Sequence, residues 1–283
     1  MVEKHAQHWV TRLPKALQSQ VKTLTPICEG RADSCFIQFK NNKPCFVKFA
    51  NEQQIMKEKQ ILFHLSQHKQ LQNVAPKLID HKQDKQLLMT KKVIGTSPTK
   101  AQVLSIDNGI TPVLARLHQH AIMPSELNFE PPNADAFLNV LTQSNISQSD
   151  ITLLVKKLNN AYQRISDLTQ YSALNHGDLT AFNILHNTNL WTFVDWEYAC
   201  VVDVRWDIAT LSIEFDLTET EDKQLIQTYL KHGFINDDNF YIGFTHWPFV
   251  YLVTCFIWAV EQNTDVEKYT ALLLQHGKDS LLN

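Results

Sequence analysis

The residues with the clearest potential for chemistry lie in one segment, NHGDLTAFNILHNTNLWTFVDWEYA, which spans residues 175–199. Asp178, Asn183, Asp195 and Glu197 occur there among apolar residues of the kind that a folded protein buries. Buried carboxylates are costly unless they are paired, hydrogen-bonded or bound to a metal. Their oxygens suit a hard cation, and Mg²⁺ takes one or two protein carboxylates together with phosphate oxygens. The segment therefore indicates a site for a hard cation.

A short β-hairpin is predicted to position these side chains. NILH and WTFVD are strand-like runs on either side of the turn signal NTN. A two-residue turn at Thr188–Asn189 would pair Asn183 with Val194. Asn183 and Asp195 would then lie together at the open end of the hairpin, and Asp178 would precede the hairpin in a loop.

The first ninety or so residues are predicted to be β-rich with helical interruptions. Residues 1–20 suggest a polar helix, and CFIQFK and PCFVKFA suggest a hairpin around the turn signal NNKP. Asn51 is a candidate cap for the next helix. The apolar residues of that helix fall at helical spacing, namely Ile55, Ile61, Leu62 and Leu65. KLIDH and QLLMTK suggest two further strands.

Beyond Gly95 the chain is predicted to be mostly helical. Val113 lies near the start of one helix, and Ile151–Tyr171 has the pattern of a long amphipathic helix. The apolar stretch Trp247–Val260 is expected to be a buried helix, too short to span a membrane. A small β-rich domain followed by a large helical one implies a cleft between them, where ligand sites are common.

Composition excludes several functional classes. The net charge of −3 and the lack of a basic stripe argue against nucleic-acid binding. Five cysteines without CxxC spacing argue against a disulfide framework or a zinc site, and the N-terminus lacks an apolar signal core. These features favour a cytoplasmic protein without a membrane partner. GxGxxG and GxxxxGK[ST] motifs are both absent, which disfavours a dinucleotide fold and a P-loop.

Three short motifs, in order, resemble those of one enzyme superfamily. The spacing from Asp178 to Asn183 equals that of the kinase catalytic loop, HRDxxxxN. HGDLTAFNIL is followed by VDWEYA and by D-x-x-x-D-I-A at Asp203 to Ala209. Together they resemble the aminoglycoside phosphotransferase superfamily, which is protein-kinase-like. DWEYA with WDIATLSIE is most similar to its choline/ethanolamine kinase and thiamine kinase group, and the likeness covers about residue 20 onward.

The resemblance implies an α+β, two-lobed protein-kinase-like fold that uses ATP and Mg²⁺. Residues 1–91 would form a small β-rich, nucleotide-binding N-lobe. Residues 92–283 would form a large helical C-lobe with the catalytic loop and the substrate pocket. In the N-lobe, Lys48 of FVKF would hold the phosphates of ATP and would pair with Glu58 on the following helix. The remaining nucleotide contacts would come from a phosphate loop and a hinge, with Gly30, Ser34 and Met89.

In the C-lobe the resemblance assigns the chemistry to the segment described first. Asp178 would accept the proton of the acceptor hydroxyl. Asn183 and Asp195 would hold Mg²⁺, and Glu197 is a further candidate ligand. Asp207 is expected to support the catalytic loop through hydrogen bonds.

The acceptor is predicted to be a small, cationic alcohol, similar to choline, ethanolamine or thiamine. Aromatic faces hold a quaternary ammonium well, and the C-terminal half is rich in aromatic residues with a few acidic ones among them, including Trp206, Trp247, Tyr251 and Glu214. Alternatives are an enzyme like the aminoglycoside 3'-phosphotransferases, a non-catalytic nucleotide-binding relative, and a metal-dependent hydrolase that uses His176, Asp178 and Asp195. The oligomeric state is left open.

Overall fold

The computed structural model describes residues 4–27, 33–40, 44–82, 86–121, 127–188, 190–233 and 235–279. The chain packs as two compact units, each built from two segments. Unit 1 comprises Met1–Ala121 and Asp178–Ala199, and unit 2 comprises Ile122–Gly177 and Cys200–Asn283. The expected lobe boundary between residues 91 and 92 does not coincide with a boundary of either unit. It stays a prediction.

Unit 1 is organised around a five-stranded antiparallel sheet. Its strands are β1 (Val21–Ile27), β2 (Asp33–Phe39), β3 (Cys45–Phe49), β4 (Leu78–Lys82) and β5 (Leu87–Lys91). The order across the sheet is β1-β2-β3-β5-β4. The predicted hairpin of β2 and β3 and the two further strands are confirmed. Strand β1 was not predicted, and the polar helix expected in residues 1–20 is two helices, α1 (Lys4–Arg12) and α2 (Lys15–Gln18), with Pro14 between them.

One face of this sheet carries the apolar core of the unit. Side chains from β2, β3 and β5 pack there against Leu13, with Trp9 and Leu17 at the edge. Alternate residues of a strand point to opposite faces, so Lys48 on β3 lies on the face opposite this core. The sequence of β3, CFVKF, therefore places a single charged side chain on the other face of a buried strand.

Helix α3 (Glu52–Gln67) follows β3 and is closed at its start by a capping box. Asn51 accepts a hydrogen bond from Gln54 N, and the side chain of Gln54 accepts one from Asn51 N. Such reciprocal bonds satisfy backbone donors that the first turn leaves free. The predicted apolar face is buried, as is Glu58. The expected cap and the expected helix face are both confirmed.

The described residues of unit 1 also include two further α-helices and a hairpin. They are α4 (Lys100–Val103), α5 (Thr111–His120), β7 (Ile184–Asn187) and β8 (Leu190–Phe193). The hairpin has the predicted register, with Ile184 opposite Phe193 and Asn187 opposite Leu190. Val194 N donates to Asn183 O at 2.9 Å, which extends the pairing to the predicted Asn183–Val194 position. Thr188 of the predicted turn has φ 51°, and Asn189 lies outside the described residues.

Unit 2 is mainly helical. Its helices are α6 (Ala134–Thr142), α7 (Gln148–Ser166), α8 (Arg205–Glu214), α9 (Glu219–His232), α10 (Phe240–Phe244), α11 (Trp247–Gln262) and α12 (Val266–Asp279), and a two-stranded sheet joins β6 (Ser172–Asn175) to β9 (Cys200–Asp203). The amphipathic helix predicted over 151–171 begins at Gln148, where Ser147 caps it, and ends at Ser166.

The apolar stretch in α10 and α11 is longer than the sequence analysis expected. By length and composition, the 22-residue segment Phe240–Glu261 is long and apolar enough to cross a membrane, with a mean hydropathy of 1.4 over an 18-residue window. The expectation that it is too short is therefore wrong. However, 61% of its apolar window is buried inside the structure, which agrees with the prediction of a buried helix.

Candidate active site

Asp178 and Asn183 are held together at the two ends of one short loop. The Nδ2 of Asn183 donates to the carbonyl oxygen of Asp178 at 2.9 Å and to its Oδ2 at 2.8 Å. Asn183 N also donates to Thr180 O at 3.0 Å. The five-residue spacing therefore lets the amide orient the carboxylate, while the Oδ1 of Asn183 makes neither of these contacts.

Asp207 supports the segment that leads to Asp178. In unit 2, its carboxylate accepts hydrogen bonds from His176 N at 2.8 Å and from Gly177 N at 3.0 Å. Gly177 has φ 85°, a backbone conformation that glycine adopts without strain. Asp207 and His176 are fully buried. The expected supporting role of Asp207 is thus matched by two hydrogen bonds to the residues that precede Asp178.

Replacing Asp207 with asparagine should destabilise unit 2 and disorder this segment. The amide retains one acceptor oxygen and places an NH₂ group against a backbone N–H, which costs about 2–4 kcal/mol. Urea unfolding should show the loss, and the equally conservative change Asp238→Asn, at an exposed site, should not. A free energy of unfolding equal to that of the control would show that these two hydrogen bonds do not stabilise the segment.

Lys48 is the centre of a buried ionic cluster in unit 1. Its Nζ lies 3.1 Å from Glu58 Oε2 and 2.8 Å from Glu197 Oε2, and it also pairs with Asp195 Oδ1. Burial alone would lower the pKa of Lys48, but the neighbouring carboxylates of Glu58, Asp195 and Glu197 raise it above its usual range. The ammonium is therefore held in its charged form. The predicted pairing of Lys48 with Glu58 is present.

The cluster contains more acidic than basic groups. Three carboxylates surround one ammonium, so negative charge is in excess, and burial raises the pKa of Glu58 in spite of the opposing effect of Lys48. The side chain of Asp195 is 36% exposed, whereas Lys48 and Glu58 are almost completely buried. An accessible carboxylate beside excess negative charge is a suitable environment for a divalent cation.

Asp195 owes its position to the hairpin and to its own backbone. It follows β8 by two residues and has φ 67° and ψ 67°, which is the left-handed region. Aspartate and asparagine tolerate that region better than other non-glycine residues. The 3-10 turn Trp196–Tyr198 comes next and carries Glu197. The sequence DWE thus directs two carboxylates toward one lysine.

The other predicted site residues are not all brought to this cluster. Ser34 is paired directly with Lys48 across β2 and β3 and is buried. Met89 pairs with Val47 and belongs to the apolar core on the sheet face opposite Lys48, so its side chain is not placed with the others. Gly30 lies outside the described residues. The roles of all three toward a nucleotide stay predictions.

A preformed metal cage is absent from the described part of the chain. No group of three or more His, Cys, Asp and Glu side chains is positioned there to hold an ion. His64 and His68 approach each other, with ring centroids 4.8 Å apart, but they lack a third ligand. Mg²⁺ does not need such a cage, because it keeps several waters and takes its remaining ligands from substrate phosphates.

Some of the predicted aromatic residues form a cluster in unit 2. The ring of Trp206 makes edge contacts with Phe129, Trp247 and Tyr251, at centroid distances of 5.0, 6.2 and 5.7 Å. Trp206 Nε1 donates to the carbonyl oxygen of Gly177, the residue before Asp178. The hydroxyl group of Tyr251 donates to Glu214 Oε1 at 3.5 Å. Burial raises the pKa of Glu214. We call these four aromatic residues the Trp206 cluster.

Sequence analysis missed one polar residue that contacts the ionic cluster. Gln54 Nε2 donates to Glu197 Oε2 at 3.4 Å. The residue carries a sequence signal, because it stands three positions after the helix cap Asn51 and four before Glu58. That spacing places Gln54 and Glu58 on the same face of α3.

Comparison with known proteins agrees with this architecture. The model of the phosphotransferase enzyme family matches residues 23–244. A LicA homologue from Mycoplasma capricolum is 28% identical over 157 residues, which are 55% of this chain and 61% of that relative, so the chain spans about six-tenths of the relative's length. Choline kinase LicA from Streptococcus pneumoniae has a TM-score of 0.75 at 17% identity, with 99% of each chain covered.

Kinases of other small molecules share the fold. A type I macrolide 2'-phosphotransferase has a TM-score of 0.68 at 15% identity, with 96% of this chain and 98% of that chain covered. The five-stranded antiparallel sheet followed by a mainly helical region is thus the kinase-like fold of small-molecule kinases. The chain belongs to the phosphotransferase enzyme family.

Proposed function

We propose that the protein transfers a phosphoryl group from ATP to the hydroxyl of a small molecule and requires Mg²⁺. The observation that carries this proposal is the buried Lys48–Glu58 pair, with Asp195 and Glu197 on the same ammonium. A lysine held by a helix glutamate beside an accessible carboxylate is the arrangement that kinases use to hold ATP phosphates and metal. A cytoplasmic setting, where ATP is plentiful, belongs to the same proposal.

Asp178 is assigned as the group that accepts the proton of the acceptor hydroxyl. Its Oδ2 is oriented by Asn183, and its charged form can accept a proton. Phosphoryl transfer needs little covalent chemistry from the protein, because positioning and charge stabilisation account for most of the rate. Lys48 would hold the phosphates of ATP. Asp178 would hold the hydroxyl in line with them.

Asn183, Asp195 and Glu197 are the residues assigned to Mg²⁺. Asp195 is the principal ligand, because its carboxylate is the most accessible of the three on Lys48. Asn183 would contribute Oδ1, since its Nδ2 is bonded to Asp178. When bound, the ion neutralises charge on the phosphate oxygens. The excess of negative charge around Lys48 fits this role.

A non-catalytic role and a hydrolase are less compatible with these residues. A binding module derived from the fold would have no need of Lys48, Asp178, Asn183 and Asp195 together. A metal hydrolase using His176 as a ligand would need that side chain to be accessible, whereas His176 is fully buried. Binding of ATP separates the kinase from the hydrolase, which does not need the nucleotide, and ATP consumption that requires both Mg²⁺ and an acceptor separates the kinase from a non-catalytic nucleotide-binding relative.

We further propose a small cationic alcohol, similar to choline, ethanolamine or thiamine, as the acceptor. The likeness to choline kinase LicA supports this choice. The Trp206 cluster adds aromatic rings, and its member Tyr251 contacts the acid Glu214. Trp206 itself donates a hydrogen bond to the carbonyl oxygen of Gly177, which precedes Asp178 in the chain. A ring face attracts a desolvated ammonium by roughly 2 kcal/mol or more.

The acceptor should be found by measuring ATP consumption with choline, ethanolamine, thiamine, amino sugars, aminoglycosides and macrolides. We expect one cationic alcohol to be preferred. Its neutral isostere, for choline 3,3-dimethylbutanol, should have a kcat/KM lower by about 30-fold or more, the equivalent of one lost cation–π contact. Equal efficiency with the isostere would exclude a cation site. Preference for an antibiotic would instead favour an antibiotic kinase, similar to the enzymes that phosphorylate macrolides and aminoglycosides.

A further inference from the structure

The side-chain amide of Gln54 makes two hydrogen bonds, one through its oxygen and one through its nitrogen. Its Oε1 accepts from Asn51 N at 3.3 Å and so completes the capping box of α3. Its Nε2 donates to Glu197 Oε2 at 3.4 Å, in the segment that follows the β7–β8 hairpin. The first turn of α3 is therefore linked to a residue 143 positions away.

The oxygen that Gln54 contacts is the one that holds Lys48. Glu197 Oε2 lies 2.8 Å from Lys48 Nζ, and the Glu197 side chain is only 14% exposed. The ammonium is also bound by Glu58, one turn after Gln54 on the same helix. Helix α3 thus contributes to the position of both carboxylates. It carries Glu58, and the amide of its Gln54 contacts Glu197.

We propose that Gln54 is a positioning residue that keeps Glu197 on Lys48. The ammonium is then fixed between Glu58 and Glu197, in place to receive the phosphates of a nucleotide. Asp195, the most exposed of the three carboxylates, is left as the principal metal ligand. This inference rests on the proposed function, because it assumes that Lys48 binds nucleotide phosphates.

A purely structural role for Gln54 can be separated from this one by a single substitution. Glutamate serves as well as glutamine at the third position of a capping box, since both offer an oxygen to the backbone of the cap residue. Gln54→Glu therefore keeps the bond to Asn51 N. It removes the donor to Glu197 and places a second carboxylate beside it, which should turn Glu197 away from Lys48.

The experiment compares three variants by titration calorimetry with ATP, with Mg²⁺ and with EDTA, and by thermal unfolding. Gln54→Glu should raise the Kd of ATP about three- to tenfold under both conditions, as expected for losing a hydrogen bond that acts through a charged group. Its KM for ATP should rise more than its kcat falls. Gln53→Glu adds the same charge at an exposed neighbour and should leave Kd unchanged. Asn51→Ala should lower Tm by about 2–4 °C without changing Kd.

The effect must also depend on Glu197. In a Glu197→Gln background, the change Gln54→Glu should raise the Kd of ATP less than it does in the wild type, because the two residues act as a unit. An unchanged Kd for Gln54→Glu, or a full effect in both backgrounds, would overturn the inference. If Gln54→Glu does not fold, Gln54→Met, which lacks the donor and is similar in size, takes its place with the same two outcomes. If the wild-type protein binds no nucleotide, the proposed function fails, and this inference fails with it.

Discussion

Replacing Asp178 with asparagine is expected to lower kcat by about 10²–10⁴-fold, the usual contribution of a general base. The amide has the shape of the carboxylate and can still accept the hydrogen bond that Asn183 Nδ2 gives to Oδ2. The loop geometry is therefore retained, and only the ability to accept a proton is lost. Nucleotide affinity should change little, because the substitution leaves Lys48 and its carboxylates intact.

Steady-state kinetics and ATP calorimetry on the same preparation test this expectation. Asp107→Asn is the matched control, because it removes the same charge at an exposed position of unit 1. The control should retain wild-type kcat, and both variants should have the wild-type Kd for ATP. A kcat close to that of the wild type for Asp178→Asn would remove Asp178 from the mechanism. It would leave the nucleotide and metal assignments standing.

Replacing Asp195 should abolish most of the Mg²⁺-dependent turnover, with a loss on the order of 10²–10³-fold for one electrostatic group at the reacting phosphate. The choice of substitution matters because Asp195 has φ 67°. Alanine would add about 1–2 kcal/mol of backbone strain in that conformation, which would mix a folding defect with the loss of the ligand. Asparagine tolerates the conformation, so Asp195→Asn isolates the charge.

The measurement is a Mg²⁺ titration of activity at saturating ATP. Asp195→Asn should need much more Mg²⁺ for half-maximal activity and should reach a lower plateau. Asp216→Asn is a matched control, since Asp216 is an exposed aspartate that also has a positive φ, 49°. If the Mg²⁺ dependence of Asp195→Asn equals that of the control, Asp195 is not the principal metal ligand.

Losing Asp195 also changes the environment of Lys48. The ammonium keeps Glu58 and Glu197, so it stays paired and charged. We therefore expect the folded state of Asp195→Asn to persist and MgATP binding to weaken mainly through the metal. This distinguishes the variant from a change at Lys48, which would leave three carboxylates without their shared cation, one of them, Glu58, deeply buried, at a cost of several kcal/mol.

Features that depend on short sequence spacing could be predicted from the sequence. The register of the β7–β8 hairpin follows from a two-residue turn between alternating strands, and it was correct at Asn183 and Val194. The cap at Asn51 and the apolar face of α3 follow from helix chemistry within a few residues. In each case the partners lie close in the chain, so no knowledge of the tertiary fold is needed.

Features that depend on distant packing could not be predicted in the same way. The sequence places Met89 near the predicted hinge but does not show that its side chain lies in the core on the sheet face opposite Lys48, and its role toward a nucleotide stays a prediction. Helix α7 ends at Ser166, although the apolar pattern continues to Leu168. A pattern of apolar residues indicates that a face is buried without identifying the partner that covers it.

The sequence by itself determined which residues are available for chemistry and how the local elements present them. Asp178 and Asn183 meet because a five-residue spacing closes one loop, and Asp195 follows a strand of defined register. Only the tertiary structure decided that Glu58, Asp195 and Glu197 all converge on Lys48, and that Gln54 joins them. These contacts link residues up to 149 positions apart, and they form because burying one ammonium requires nearby carboxylates whatever their place in the chain.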